Sequence, residues 1–226
     1  MKCELISKSV GLGSYEELNH EELIAAIARH GTIKDDNGKL IKYLMDNAHW
    51  SPLQHISFGF KVQTSRAISA QIFRHRSLNG QEWSQRYSSS DNIEEIELRK
   101  EHPTNRQSST ESFDPMLNLT WSVDDSYDVK ASDAIEDAMG KVHNLYNELL
   151  EAGVAKECAR MILPMGSTTH IHITATFRDL LGFLNVRCDH HAQKEVQDIA
   201  IAIGEELEKE MPRVMSRIDW RKGMFM

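Results

Sequence analysis

The stretch HISFGFKVQTSRAISAQIFRHRSLNGQEWSQRY, residues 55–87, carries three kinds of patterning in succession. Ile56, Phe58, Phe60 and Val62 alternate with Ser57, Gly59, Lys61 and Gln63, which predicts a strand with one buried face. Ser65 to Phe73 returns to helical spacing, so Arg74-His75-Arg76 falls at that helix's C-terminal end. The helix dipole favours cations there, which explains one or two positive charges. It does not explain Glu82, Ser84 and Arg86 following on, interleaved with Phe73, Trp83 and Tyr87. Fixed guanidinium forks beside hydroxyl and amide donors suit a small anion such as a phosphate monoester.

Toward the amino terminus, residues 16–30 predict a helix with Leu18, Leu23, Ile24 and Ile27 as its apolar stripe. Gly31 and Thr32 break it, and Asp36-Asn37-Gly38 signals a turn. A second helix runs from Lys39 to Asn47 and ends at His49-Trp50-Ser51-Pro52. Toward the carboxyl terminus, residues 88–128 are polar and irregular, with a short strand near Ile96–Arg99; they read as a surface insertion of the kind used for lids or subunit contacts. Helices follow at Asp133–Leu150, closed by Gly153, and near Ala155–Leu163, stopped by Pro164. Thr168–Thr176 alternates again, with His170, His172 and Thr174 on one face. Arg178–Val186 reads as helix, and Ala192–Met211 as a long amphipathic one. Helices outnumber strands without strict alternation, so the class is α+β, helix-rich with an antiparallel-rich sheet. One domain over residues 1–226, with the polar insertion at about 88–128, is the expected organisation.

At 226 residues the chain can bury a substantial core. Lys and Arg number 26 against 34 Asp and Glu, a net charge of −8. That argues against a nucleic-acid polymer, which needs an extended basic footprint, and leaves the local basic cluster for a small anion. Cys3, Cys158 and Cys188 are scattered and form no CxxC pair, which fits a reduced, cytoplasmic compartment. The start, MKCELISKSVGLG, lacks a signal peptide's apolar core, and no segment approaches a membrane span, so no membrane role is expected.

His170-x-His172 and Asp189-His190-His191 are the residues that would hold a transition metal, but a partly solvated sheet face and a helix start explain them more simply, and no metal is expected. Ser84 lies near Glu82 and His75 in sequence, yet no nucleophile elbow surrounds it; beside Arg86 it reads better as a phosphate ligand. Cys188 beside Arg187 reads as a small core residue. Arg160, Arg178 and Arg187 interrupt apolar sequence, and with Arg74, Arg76 and Arg86 they suffice for several phosphates, as in a nucleotide plus a phosphate-bearing cofactor.

Here a specific resemblance emerges. The run RHRSLNGQEWSQRY resembles the RHR-x7-S signature of flavin-dependent thymidylate synthases. His49-Trp50-Ser51-Pro52-Leu53-Gln54-His55, Ala159-Arg160-Met161-Ile162-Leu163-Pro164, Phe183-Leu184-Asn185-Val186-Arg187 and His191-Ala192-Gln193 match in the family's order. The resemblance implies a homotetramer with active sites shared between subunits. It implies reductive methylation of dUMP to dTMP, with 5,10-methylenetetrahydrofolate as carbon donor, FAD reduced by NADPH as hydride source, and no enzyme nucleophile. Matching dUMP-contact positions are Gln71, Glu82, Ser84, Arg86, Arg160 and Arg187. Matching flavin-contact positions are His55, Arg74, His75, Arg76, Arg178 and His191. Of these, Arg187, Ser84 and His55 are implied in catalysis. Gly31, Thr176 and Gly182 depart from the pattern's Ser, Asn and Asn, so those three flavin contacts are not implied. Two rivals are a metal-dependent phosphohydrolase built on His170, His172, His190 and His191, and a non-catalytic nucleotide- or flavin-binding module.

Overall fold

A computed structural model describes residues 2–34, 38–86, 93–122, 125–223 and 225–226. Asp36 and Asn37 of the expected turn, and Tyr87, lie outside the described residues. In chain order the elements are β1 (Lys2–Lys8), α1 (His20–Ala28), α2 (Lys39–Asp46), β2 (Ser57–Ser65), α3 (Arg66–Ile72) and β3 (Asn79–Glu82). Then come β4 (Arg99–Glu101), β5 (Ser109–Ser112), β6 (Met116–Ser122), β7 (Asp125–Lys130), α4 (Ala131–Glu151) and α5 (Lys156–Ala159). The chain finishes with β8 (Thr168–Thr176), α6 (Phe177–Arg187), α7 (Lys194–Glu210) and α8 (Pro212–Met215). The α+β class is as the sequence predicts. No helix among the described residues is long and apolar enough to cross a membrane.

The chain folds into two compact units: Met1–Gln63, Ala70–Glu82 and His170–Met226 form the first, and Thr64–Ser69 with Trp83–Thr169 the second. The first is built on a four-stranded sheet in the order β1-β2-β8-β3. β1 pairs antiparallel with β2 from Lys2 opposite Gln63 to Lys8 opposite Phe58, and β3 pairs antiparallel with β8 from Asn79 opposite Thr174 to Glu82 opposite Ile171. The alternation becomes a two-faced sheet. Phe58, Phe60, Val62, Ile171 and Ile173 are fully buried, while Lys61, His172 and Thr174 face out. Phe58 meets Phe177 of α6 edge-on, with ring centroids 6.0 Å apart, and α7 packs along β1. β1 and β3 were not legible beforehand: both are short, polar and exposed along much of their length, so they lack a hydrophobic period.

Helix α1 starts later than its apolar stripe suggests. Asn19 accepts the Glu22 N–H at 3.0 Å while Glu22 Oε2 accepts the Asn19 N–H at 2.9 Å, a reciprocal box that fixes the first turn. The helix closes where the Gly31 N–H reaches Ala26 O at 2.8 Å, with Gly31 at φ +92°. Helix α6 opens on Thr176, whose Oγ1 accepts the Asp179 N–H and donates to Asp179 Oδ2 at 2.6 Å.

In the second unit the expected irregular insertion is corrected. Residues 99–130 hold two antiparallel hairpins, β4–β5 and β6–β7, where the sequence had suggested one short strand near Ile96–Arg99. Strands β4 and β5 carry polar residues on both faces and show no period. In β6, half-buried Leu117 and Leu119 sit opposite Val129 and Tyr127, and this alternation is legible in hindsight. α4 begins at Ala131, two residues before the expected Asp133, because the Asp114 carboxylate accepts both the Ser132 N–H at 2.9 Å and its hydroxyl at 2.8 Å.

Candidate active site

In the first unit, α3 stops at Ile72 and the RHR triplet forms the turn leading to β3. The Arg74 and His75 N–H groups reach back to Gln71 O and Ile72 O at 3.2 and 3.0 Å, and the Leu78 N–H returns to His75 O at 3.1 Å. Buried Leu78 anchors the turn, leaving Arg74 and Arg76 exposed and His75 half-buried. The His75 ring lies edge-on to buried Phe183 at 5.0 Å. Its Nε2 accepts a hydrogen bond from Arg187 Nε at 2.6 Å. Arginine can only donate, so His75 carries its proton on Nδ1. Burial first, and the Arg187 charge second, hold His75 below the ordinary histidine range. Burial and then Arg74 likewise lower Arg187, so the two arginine heads and the imidazole share one neighbourhood.

Gln71 donates from Nε2 to Gln193 Oε1, joining α3 to the loop after α6. In that loop Asp189 Oδ1 accepts the His191 N–H at 2.8 Å and sits 2.7 Å from His191 Nδ1. The His191 N–H, above all, lowers the Asp189 carboxyl. The pair holds the exposed His191 ring with Nε2 left for a ligand. Asp189, His190 and His191 bring one donor atom each within 4.8 Å of one another. Among the described residues His170 and His172 do not join that group; they lie on β8, where burial, then Lys61 and His172, lower His170.

His55 is exposed at the end of the 3-10 turn Ser51–His55. The next residue's carbonyl, Ile56 O, accepts the Phe177 N–H at 2.7 Å, which sets His55 beside the first turn of α6. Arg178 occupies that turn. A cation at a helix N-terminus works against the macrodipole, so helix stability does not account for it. Among the described residues Arg74, Arg76 and Arg178 have no ion-pair partner, which fits a cofactor carrying phosphates. Glu82 ends β3, half-buried.

The second unit holds the remaining candidates. Ser84 Oγ accepts the Arg86 N–H at 3.3 Å, and Arg86 Nη2 lies 3.4 Å from Glu157 on α5. Arg160, three residues beyond Glu157, opens the 3-10 turn Arg160–Ile162 and has no ion-pair partner among the described residues. Gln85 Nε2, between Ser84 and Arg86 in sequence, is buried without a hydrogen-bond partner among those residues. A ligand with several acceptors suits this set. No histidine among the described residues is hydrogen-bonded to Ser84, so nothing there activates it as a nucleophile. Cys188 is fully buried and Cys3 half-buried, and in both burial pushes the thiol up to about 12, so neither offers a thiolate.

Sequence reasoning missed Asp189, Gln193 and Glu157 as partners of candidate residues. Asp189 could have been found, since an Asp two residues before a ligand histidine is the spacing of a side-chain turn. Glu157 and Gln193 act across sequence distance and leave no local signal.

Residues 10–213 match the family described as "Thymidylate synthase complementing protein". The chain is similar to a flavin-dependent thymidylate synthase of Synechocystis, 35% identical over 208 residues, covering 91% of this chain and 92% of that one. It is similar to a probable flavin-dependent thymidylate synthase of Paramecium bursaria Chlorella virus 1, 35% identical over 206 residues, covering 88% and 91%. To the flavin-dependent thymidylate synthase of Thermosipho africanus it is 37% identical over 181 residues, covering 79% and 74%. With the RHR turn, the capped α6 and the His191 loop all inside the matched span, the chain belongs to the flavin-dependent thymidylate synthase family.

Proposed function

We propose that this enzyme methylates dUMP reductively to dTMP, with 5,10-methylenetetrahydrofolate as carbon donor and FAD as the flavin. The observation that carries the reading is the meeting of Arg74, His75 and Arg187 at one end of α3 and α6, within a chain matched to the family over residues 10–213.

His55, Arg74, His75, Arg76, Arg178 and His191 are the residues that would hold FAD. The unpaired guanidiniums answer its phosphates, and His191 Nε2 and His55 its ring system. When bound and reduced by NADPH, FAD would supply hydride chemistry at the methylene carbon, which these residues would position. The chain's own work is binding, orientation and electrostatics. In the proposed homotetramer each active site draws on more than one copy, so the two residue sets are assigned separately. Ser84, Arg86 and Arg160 take the phosphate of dUMP, and Arg86 exchanges Glu157 for it. Gln71, Glu82 and Arg187 take the pyrimidine, with Arg187 stabilising negative charge that develops as C5 becomes nucleophilic. Ser84 stays an ordinary hydroxyl and the Cys3 and Cys188 thiols stay protonated, in keeping with a reaction that needs no protein nucleophile. The enzyme acts as one catalytic domain in the cytoplasm.

The test is a visible spectrum of purified protein after incubation with FAD and desalting. The expected result is a retained flavin spectrum, bleached anaerobically by NADPH and recovered on adding dUMP and methylenetetrahydrofolate, with dTMP as product. Retained FAD with no dTMP would reduce the protein to a binding module.

A further inference from the structure

Arg187 belongs to the proposed dUMP set and His75 to the proposed flavin set, yet the two are joined by a short side-chain hydrogen bond, Nε to Nε2 at 2.6 Å. We propose that His75 is a positioning residue for Arg187: its neutral Nε2 ties down the Arg187 Nε–H, so that the paired Nη1 and Nη2 groups are presented to the pyrimidine of dUMP.

Several features support this. A guanidinium can present either its Nε–Nη2 edge or its Nη1–Nη2 end to a planar acceptor pair. With Nε engaged, the Nη end remains. The imidazole is itself fixed. Phe183, fully buried, supports its ring edge-on at an interplanar angle of 77°, and the His75 N–H and C=O groups both belong to the RHR turn. Arg187 is the last residue of α6, and Phe183, one turn earlier on the same helix, braces its partner. One helix face thus carries both the arginine and the wall that holds its acceptor.

Protonation breaks the arrangement. An imidazolium has a hydrogen on both nitrogens, so Nε2 would point a donor at a donor, beside a guanidinium already carrying charge. Among the described residues the charged group acting on His75 is Arg187 from α6, and Arg74 of the RHR turn itself acts in turn on Arg187. Both are cationic, so neither rescues the imidazolium, and burial opposes it further. The RHR triplet therefore does two jobs: its arginines stay outward for anions, while the histidine between them sets the aim of a third arginine far away in sequence.

The dUMP arm of the test rests on the proposed function; the nitrogen arm does not. In the nitrogen arm, the histidine ring nitrogens of the purified chain are followed by NMR across pH. The expected result is a His75 ring with its proton on Nδ1 and a titration midpoint below the ordinary histidine value, and a midpoint that rises in Arg187→Met. A His75 protonated on Nε2, or a midpoint indifferent to Arg187→Met, overturns the pairing whether or not dUMP binds. In the second arm, dUMP affinity is measured by calorimetry from about pH 8 to about pH 5.5 in wild type, His75→Gln and His75→Leu. Gln keeps an acceptor at every pH; Leu has none. The dUMP phosphate titrates in the same range, with a pKa of about 6, but identically for all three proteins. Wild-type affinity should therefore fall relative to His75→Gln as pH drops, by less than about tenfold at about pH 5.5 because the His75 midpoint lies below the ordinary histidine value, and His75→Leu should be weak throughout. A wild-type-to-Gln ratio that stays flat with pH sinks the positioning role. No dUMP binding by wild type at any pH defeats the proposed function instead, leaving the nitrogen arm to decide the pair.

Discussion

Arg160 and the cysteines show how much single side chains decide. Arg160 has no carboxylate partner among the described residues and is proposed to bind the dUMP phosphate; on that proposal Arg160→Ala should raise the Kd for dUMP by roughly 10- to 100-fold, the loss of one or two charge-assisted hydrogen bonds. Its flavin content should be that of wild type; a variant that sheds flavin instead would contradict the assignment. The thiols differ as sharply. Cys3 and Cys188 are held near 12 by burial, whereas Cys158 is exposed. Brief alkylation of native protein near neutral pH, read by mass spectrometry, should label Cys158 and spare the other two. His75 adds a pH dependence. Its folded pKa lies below the unfolded value of 6.5, so the unfolded chain takes up a proton that the native state refuses. Stability is fully present above that unfolded value and falls as pH drops from it toward the folded one. Urea midpoints measured through that window should decline in wild type more than in His75→Gln.

At the scale of elements, Gly31 and Gly182, where the resemblance implies Ser and Asn, sit in different backbone settings. Gly31 closes α1 at φ +92°, where a Cβ would lie 2.8 Å from the Tyr15 hydroxyl. Serine at that position is strained in this backbone, and Gly31→Ser should cost about 1 kcal/mol or more. Gly182 is the opposite case: it sits inside α6 with nothing within 4 Å of an added Cβ. Gly182→Ala should stabilise the helix by roughly 0.5–1 kcal/mol, seen as a higher thermal midpoint. If Gly182→Asn also raises FAD retention, the missing contact is one this fold still has room for. Thr176 needs no repair as a helix cap, because its hydroxyl is fully engaged with Asp179.

Across the whole molecule, the first unit is closed by contacts between segments remote in sequence. Glu21 of α1 is buried, and its Oε1 accepts the Val214 N–H of α8 at 2.9 Å. Burial raises its pKa above 4.5, partly offset by the Val214 and Arg213 N–H groups. The ionised form is therefore disfavoured in the fold: that cost is absent below the unfolded pKa and fully present above the folded one. Glu21→Gln, which keeps the acceptor without the charge, should be near neutral at pH 7. Glu21→Ala should lose about 1–3 kcal/mol by orphaning the Val214 N–H, as chemical denaturation would show. Near the carboxyl terminus Trp220 is buried against Gly204 of α7, where a Cβ would come within 2.1 Å of its ring.

From sequence alone came the α+β class, the two sheet strands β2 and β8, the longer helices, and the family with its implied ligands. These follow from periodicity and from motifs in which neighbouring residues act together, so local order contains them. Tertiary structure alone decided that β1 and β3 flank the sheet and that residues 99–130 form hairpins, because short polar strands are defined by what they pair with. It alone joined His75 to Arg187, 112 residues apart, and Gln71 to Gln193. The protonation state of a histidine depends on its burial and on the charge beside it, and the sequence fixes neither until the chain has folded back on itself.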